Sequence, residues 1–210
     1  KLAELSDIIF LCVEPLQAVP LLFKYKDLLS RKLVVSLVAG LSLSHFKKLG
    51  YLRAARFIPS VAVRYRCSAN LLVFGGLGKE DIGKVLQITS LVGTNIAIDE
   101  DHLGSATIFT SSGPAYAAYA CKEVMSLFGN DDRSKIIFRK IFAHGLISAG
   151  RILLNEDPDK IMSGVSTKGG ITENGLVVIQ GYIPGLLMRL YQETIKKYFS
   201  IAKGHSISLK

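Results

Sequence analysis

The sequence is poor in the residues that build disulfide scaffolds and metal centres. It has three cysteines and four histidines among 210 residues, and none of them stand in a CxxC motif or at zinc-ligand spacing. We therefore expect neither a disulfide framework nor a bound metal. Unpaired thiols are typical of a cytoplasmic protein, and the cytoplasm is the location we predict.

Charged residues and long apolar runs are also scarce. Charged residues make up 20% of the chain and hydrophobic residues 49%, which predicts a folded protein with a substantial core. The longest uncharged stretch, residues 103–121, is interrupted by Ser, Thr, Gly and Pro114. We therefore expect no membrane span, and the sequence shows no signal-peptide pattern.

Acidic residues are outnumbered by basic ones, 17 to 26, which gives a formal net charge of +9. Such an excess favours an anionic partner, whether a phosphate-bearing cofactor, a carboxylate substrate or nucleic acid. Nucleic acid requires a basic stripe. The densest basic cluster is only "RYRC", residues 64–67, with Arg53 and Arg56 upstream, and we expect no nucleic acid to bind.

Short apolar runs alternate with helical patterns as far as about Glu100. This alternation predicts an α/β layer with a largely parallel sheet. Three of the predicted strands end in "CVEP", "LVAG" and "FIPS", where Pro or Gly stops the strand. Because ligands bind beyond the carboxyl ends of parallel strands, these ends could form the rim of a flat cofactor site, although ordinary loops would look the same.

After residue 100 the sequence predicts only helices. We therefore divide the chain into an α/β domain, residues 1–100, and an all-α domain, residues 101–210. Gly181, Pro184 and Gly185 are expected to kink or divide the last helix. These helices are apolar enough to bury a second face in a partner subunit.

Two loops could bind an anion. "VSTKGGITENG", residues 165–175, places paired glycines among hydroxyl groups before a helix, and unpaired backbone N–H groups at such a position attract carboxylate or phosphate. The alternative is a Gly-Gly turn with Thr172 as an ordinary N-cap. "SSGPAY", residues 111–116, is either a second such place or simply a helix start with Ser111 or Ser112 as cap.

No Ser-His-Asp order and no pair of carboxylates stands out in the sequence. This absence suits an enzyme whose cofactor carries the chemistry, and it suits a binding protein equally well.

The motifs "FLCVEP", "VSLVAG", "RFIPS", "SSGPAY" and "VSTKGGIT", in this order, resemble the pyrroline-5-carboxylate reductase family over nearly the whole chain. The resemblance implies a partial Rossmann domain that binds NADPH or NADH, followed by a helical dimerisation domain. It implies reduction of a small cyclic imino acid, 1-pyrroline-5-carboxylate, to L-proline in proline biosynthesis, by a homodimer that can assemble further.

Carried over by motif, the resemblance also implies residue roles. Thr172 is the catalytic residue, with its hydroxyl near the imine nitrogen. The substrate carboxylate is held by Thr167, Gly169, Gly170 and Thr172. The cofactor is bordered by Val13, Glu14, Pro15, Ala39, Gly40, Pro59 and Ser60.

The sequence departs from the family pattern at several places. Glu14 replaces a lysine, Ser60 an asparagine and Lys168 a proline, and Ile171 fills a position that is usually small or hydroxylated. The family's Gly-x-Gly-x-x-Gly phosphate loop has no counterpart, so we expect the chain to begin part-way through the Rossmann domain, where it would lack the main pyrophosphate anchor. Two alternatives therefore stay open: a non-catalytic or regulatory relative of the competence type, and a reductase of another cyclic imine.

Overall fold

A computed structural model describes residues 2–128 and 131–207, with the backbone alone for residues 203–207. Within these residues the chain forms two compact units. The first comprises residues 2–114 and 191–207, and the second comprises residues 115–190. The predicted division at residue 100 stays a prediction.

The first unit is built on a five-stranded sheet whose strands follow one another in chain order. Three of the four pairings are parallel, and only β3 and β4 are antiparallel. The link between β3 and β4 contains just one 3-10 turn, Val61–Tyr65, and so returns without a helical crossover. The strands are β1 (Ile8–Leu11), β2 (Leu33–Ser36), β3 (Ala54–Ile58), β4 (Ser68–Phe74) and β5 (Gly93–Ala97).

Helices fill the remaining connections, as the alternating pattern predicts. Ser42 forms a capping box with His45 at the start of α3, and Gly50, with φ +90°, follows its end. A second 3-10 turn, Ser90–Val92, precedes β5. The helices of this part are α1 (Pro15–Lys24), α2 (Lys26–Leu29), α3 (Leu43–Lys48), α4 (Lys79–Thr89) and α5 (Glu100–Thr110).

The core lies on both faces of the sheet because successive strand residues point to opposite sides. Val34 packs with Leu22 and Phe46 on one face, whereas Val35 packs with Leu72 and Val85 on the other. The predicted α/β architecture, followed by an all-helical region, is confirmed.

The remaining helices are α6 (Gly113–Leu127), α7 (Asp132–Leu153), α8 (Pro158–Val165) and α9 (Ile171–Ile207). Pro114 lies at a join, as the second residue of α6. Helix α8 was not predicted, although Asp157 accepts a hydrogen bond from Asp159 N at 2.9 Å and Pro158 occupies the first helical position, a recognisable start signal.

Helix α9 continues through Gly181, Pro184 and Gly185, so these residues do not divide it, and the alternative that they kink it stays a prediction. A proline removes only one backbone N–H, and the strong helix formers that follow, residues 186–188, sustain the helix.

The second unit has no buried residue among its described positions, 115–128 and 131–190. Large apolar side chains are exposed along α7 and α9, including Ile141 at 58% and Val178 at 59%. Exposed apolar area on this scale marks an interaction surface. Across the described part of the chain, every helix is too short or too polar to cross a bilayer.

Candidate functional site

The carboxyl ends of β1, β2 and β3 lie at one edge of the sheet because these strands are parallel. The sheet thereby brings together the three predicted cofactor segments, residues 13–15, 39–40 and 59–60. This is the edge at which ligands bind in open parallel sheets.

At the first strand end, Val13 is half-buried against the core and Glu14 is exposed. Glu14 is the N-cap of α1, with extended backbone, and Pro15 is the first helical residue. The Glu14 side chain makes no capping hydrogen bond. Its carboxylate nevertheless stands at the positive end of the helix dipole, where an anionic ligand would also be drawn.

At the second strand end the chain turns sharply. Gly40 has φ +75°, a conformation that L side chains rarely adopt, and it is buried, whereas Ala39 is exposed. Upstream, Val38 N donates to Ser36 Oγ at 3.2 Å. The turn therefore presents Ala39 at the edge of the sheet.

At the third strand end, Ser60 forms hydrogen bonds to other residues of the protein. Ser60 Oγ accepts from Ala62 N at 3.2 Å, and Ser60 N donates to Ser68 Oγ at 2.9 Å. Ser111 Oγ donates to the carbonyl of Pro59 at 3.1 Å. This side chain, predicted as a possible helix cap, therefore links the end of α5 to the end of β3.

A cavity of about 310 Å³ opens at these strand ends. Its size suits a small-molecule ligand or one ring of a larger one. The walls are largely apolar, with three hydroxyl groups and one guanidinium, and consist of Leu37, Ala39, Arg56, Ile58, Pro59, Thr107, Ser111 and Tyr198. Ala39 and Pro59 are predicted cofactor residues, and apolar walls beside exposed backbone fit a nicotinamide ring.

Arg56 is a functional candidate that the sequence does not reveal, since it appears there only as a basic residue upstream of the cluster at residues 64–67. It is 1% exposed. Its Nη1 donates to Glu100 Oε1 at 3.0 Å and its Nη2 to the carbonyl of Val38 at 3.2 Å. A buried charge needs such partners, and only the packing of α5 on the sheet supplies Glu100.

A second cavity, of about 490 Å³, shares Arg56 and Tyr198 with the first. Gly40 and Glu100 line it, as does His45, whose Nδ1 accepts from Ser42 N at 3.1 Å. The two cavities thus share Arg56 and Tyr198 as wall residues.

The predicted substrate loop lies in the second unit and is exposed at Thr167, Gly169 and Thr172. Gly169 has φ +71°. A Cβ at Gly170 would collide with the Thr167 side chain, so glycine is required for this close approach. Thr172 is the second residue of α9 and not its N-cap, which removes the ordinary-cap alternative.

This loop already holds a carboxylate. Glu173 Oε2 accepts from Gly169 N at 2.7 Å, at the positive end of α9. The backbone of the loop therefore has the geometry to bind a carboxyl group. Elsewhere in the described chain, no group of three or more His, Cys, Asp or Glu residues could hold a metal ion.

The family model for the dimerisation region of pyrroline-5-carboxylate reductase matches residues 100–200. "Pyrroline-5-carboxylate reductase 3" from Bacillus subtilis is 26% identical over 201 residues, which are 93% of this chain and 74% of that protein. The chain is similar to pyrroline-5-carboxylate reductases over nearly its whole length.

Another relative in Bacillus subtilis, "ComE operon protein 4", is 24% identical over 203 residues, 94% of this chain and 74% of that protein. Among solved structures, the pyrroline carboxylate reductase of Plasmodium falciparum with NADP bound matches with a TM-score of 0.82 at 19% identity. That match covers 96% of this chain and 79% of the other, and it shows that the two proteins share a fold.

Proposed function

We propose that the protein is an NAD(P)H-dependent oxidoreductase that reduces 1-pyrroline-5-carboxylate to L-proline in the cytoplasm. The observation that carries the proposal is the cavity at the carboxyl ends of β2 and β3, bounded by Ala39 and Pro59. Both residues belong to motifs that the family uses around its cofactor. Their position beside a cavity of suitable size supports the same use here.

The nicotinamide, when bound, supplies a hydride to the imine carbon. Ala39, Gly40 and Pro59 would hold the ring through apolar contact and backbone, while Val13 and Pro15 border it at the first strand end. Glu14 and Ser60 occupy the other two positions that border the cofactor in the family. Ser60 would border the cofactor by contact alone, because its side chain bonds to Ala62 N and Ser68 Oγ and its backbone N–H donates to Ser68 Oγ.

The substrate is anionic, and the loop at residues 167–172 would bind its carboxylate. Gly169 N donates to Glu173 Oε2 and Gly170 N to the carbonyl of Thr167, so the substrate carboxylate would replace Glu173 on the N–H of Gly169. The hydroxyl of Thr167 would add a donor. Thr172, exposed in the first turn, would orient the imine nitrogen through its hydroxyl. The net charge of +9 favours the approach of anionic ligands.

We infer further that the protein is a homodimer and that larger assemblies form from it. The family model matched here describes dimerisation, and the exposed apolar faces of α7 and α9 supply the surface that such a dimer needs. A partner copy would bury side chains that a single chain leaves in water.

The test is oxidation of NADPH and of NADH by the full-length protein with 1-pyrroline-5-carboxylate as substrate. Turnover with either cofactor supports the proposal. A folded, dimeric protein without turnover contradicts it. A panel of other cyclic imines, run in parallel, then identifies a reductase with a different substrate.

A second candidate function is a non-catalytic relative that keeps the fold. The similarity to "ComE operon protein 4" and the carboxylate of Glu14 at the cofactor edge favour it. Cofactor binding separates the two candidates, because a non-catalytic relative of this kind would bind neither NADPH nor NADH.

A further inference from the structure

Arg56 is a charged residue in the middle of a buried strand. In register it stands between Ser36 of β2 and Val73 of β4. With 1% of its surface exposed, its guanidinium has lost nearly all contact with solvent. Burial of a charge is strongly disfavoured unless protein groups replace the lost water.

Those groups only partly replace the water. Glu100 and the carbonyl of Val38 accept from the two terminal nitrogens, but Arg56 Nε is buried without a hydrogen-bond partner in the described chain. An apolar side chain of similar length would be at least as stable in such a place. Stability alone therefore does not account for an arginine here.

The same ion pair holds both ends of one turn. Arg56 binds the carbonyl of Val38, at the end of β2, while both oxygens of Glu100 accept from Leu43 N, at 3.1 and 2.9 Å. Leu43 is the first residue of α3. Residues 38–43 are thereby fixed at one end through the arginine and at the other through the glutamate.

This turn contains Ala39 and Gly40. Arg56 also lines both cavities, the one beside Ala39 and the one beside Gly40. Any shift of the guanidinium would therefore move a cavity wall and the backbone next to it together.

We propose that Arg56 is a positioning residue, which holds the 38–43 turn through Val38 and Glu100 in the conformation that accepts the nicotinamide. This inference rests on the proposed function and deepens it. Arg56 acts through the turn and does not itself touch the reacting atoms.

The test compares three variants of the full-length protein: Arg56→Met, the double variant Arg56→Met/Glu100→Gln, and the control Arg53→Met. Arg53 immediately precedes β3 and also pairs with a carboxylate, Asp81, but its side chain is 47% exposed. Three quantities are measured: NADPH affinity by fluorescence, hydrogen exchange of the Leu43 amide, and thermal stability.

We expect Arg56→Met to weaken NADPH binding about tenfold, the usual effect of losing one charge-assisted hydrogen bond. The Leu43 amide should exchange faster, because Glu100 loses its anchor. The double variant should recover thermal stability, since no uncompensated charge remains, yet keep the weak NADPH binding because Val38 still lacks its donor. Arg53→Met should match the wild type in cofactor affinity and Leu43 exchange.

A double variant that recovers both stability and NADPH affinity would show a merely structural ion pair and overturn the inference. If the wild type binds neither NADPH nor NADH, the proposed function has failed instead. In that case the hydrogen-exchange rate of the Leu43 amide still tests whether Arg56 positions the turn. An unchanged rate in Arg56→Met would reject the positioning role.

Discussion

The ring of Tyr198, on α9, lies directly against Gly104, on α5. A Cβ at Gly104 would stand 2.7 Å from Tyr198 Cε1 and 2.9 Å from Cδ1. Next to this contact, Ser105 Oγ and Tyr191 Oη are 3.0 Å apart. The last helix therefore packs closely on α5 at Gly104, where a larger residue would overlap the ring of Tyr198.

We expect Gly104→Ala to destabilise the protein. Alanine favours the helix by about 1 kcal/mol, but displacing the packed ring costs about 1–3 kcal/mol. The control is Gly83→Ala, in α4, where an added Cβ meets nothing within 4 Å and should stabilise the protein. Urea unfolding measures both variants, and an equal gain in stability for the two would contradict the observed packing.

Thr172→Ala should lower kcat about 10- to 100-fold, because the hydroxyl that orients the imine nitrogen is lost. The side chain is exposed, so we expect little change in thermal stability. Thr172→Ser keeps the hydroxyl and should recover most of the activity. Steady-state kinetics test the pair, and full activity in the alanine variant would remove Thr172 from the mechanism.

Glu173→Gln should lower the KM for the imino acid about 3- to 5-fold. Glu173 places a negative charge on the backbone N–H of Gly169, where a substrate carboxylate would compete with it and be repelled. Glutamine still accepts that hydrogen bond but carries no charge. The control is Glu193→Gln on the same helix, at an exposed pair with Lys196. A KM that is unchanged or raised in Glu173→Gln would argue against carboxylate binding at this loop.

Stability should fall in acid through the pair of Arg53 and Asp81. Arg53 donates to both carboxylate oxygens, at 2.7 and 2.9 Å, and this hydrogen bonding lowers the pKa of Asp81. A depressed carboxyl pKa contributes stability above the unfolded value of about 3.9, and that contribution is lost as pH falls through the folded value.

Because Arg53 is half-exposed, we expect about 0.5 kcal/mol from this pair. Urea unfolding of the wild type and of Asp81→Asn, between about pH 3 and 6, measures it. The two proteins should converge in stability as the pH falls. A difference that stays constant with pH would show that the pair contributes no charge-dependent stability.

Ile141→Glu and Val178→Glu should dissociate the proposed dimer, because each places a charge on an exposed apolar face. Arg139→Glu is the matched control, since it projects from nearly the opposite side of α7. Light scattering on a sizing column gives the mass of each variant. If Ile141→Glu and Val178→Glu both remain dimeric, the dimer interface lies on another surface.

Local pattern was enough to predict an α/β part followed by helices, although it missed α8. The β1, β2 and β3 runs are short, apolar and stopped by Pro or Gly, so each strand and its end could be read without the fold. The paired glycines at 169 and 170 likewise predict backbone that a ligand could approach closely.

Long-range contacts decided what local pattern could not. The antiparallel pairing of β4 with β3 depends on contacts between segments that are distant in the chain. The sequence alone determined the α/β-then-helical order, the family motifs and the glycine loop, because these are local properties of the chain. Only the tertiary structure decided that Arg56 is buried against Glu100, 44 residues away, and that Ser60 bonds to Ser68, because burial and pairing exist only once the strands have assembled.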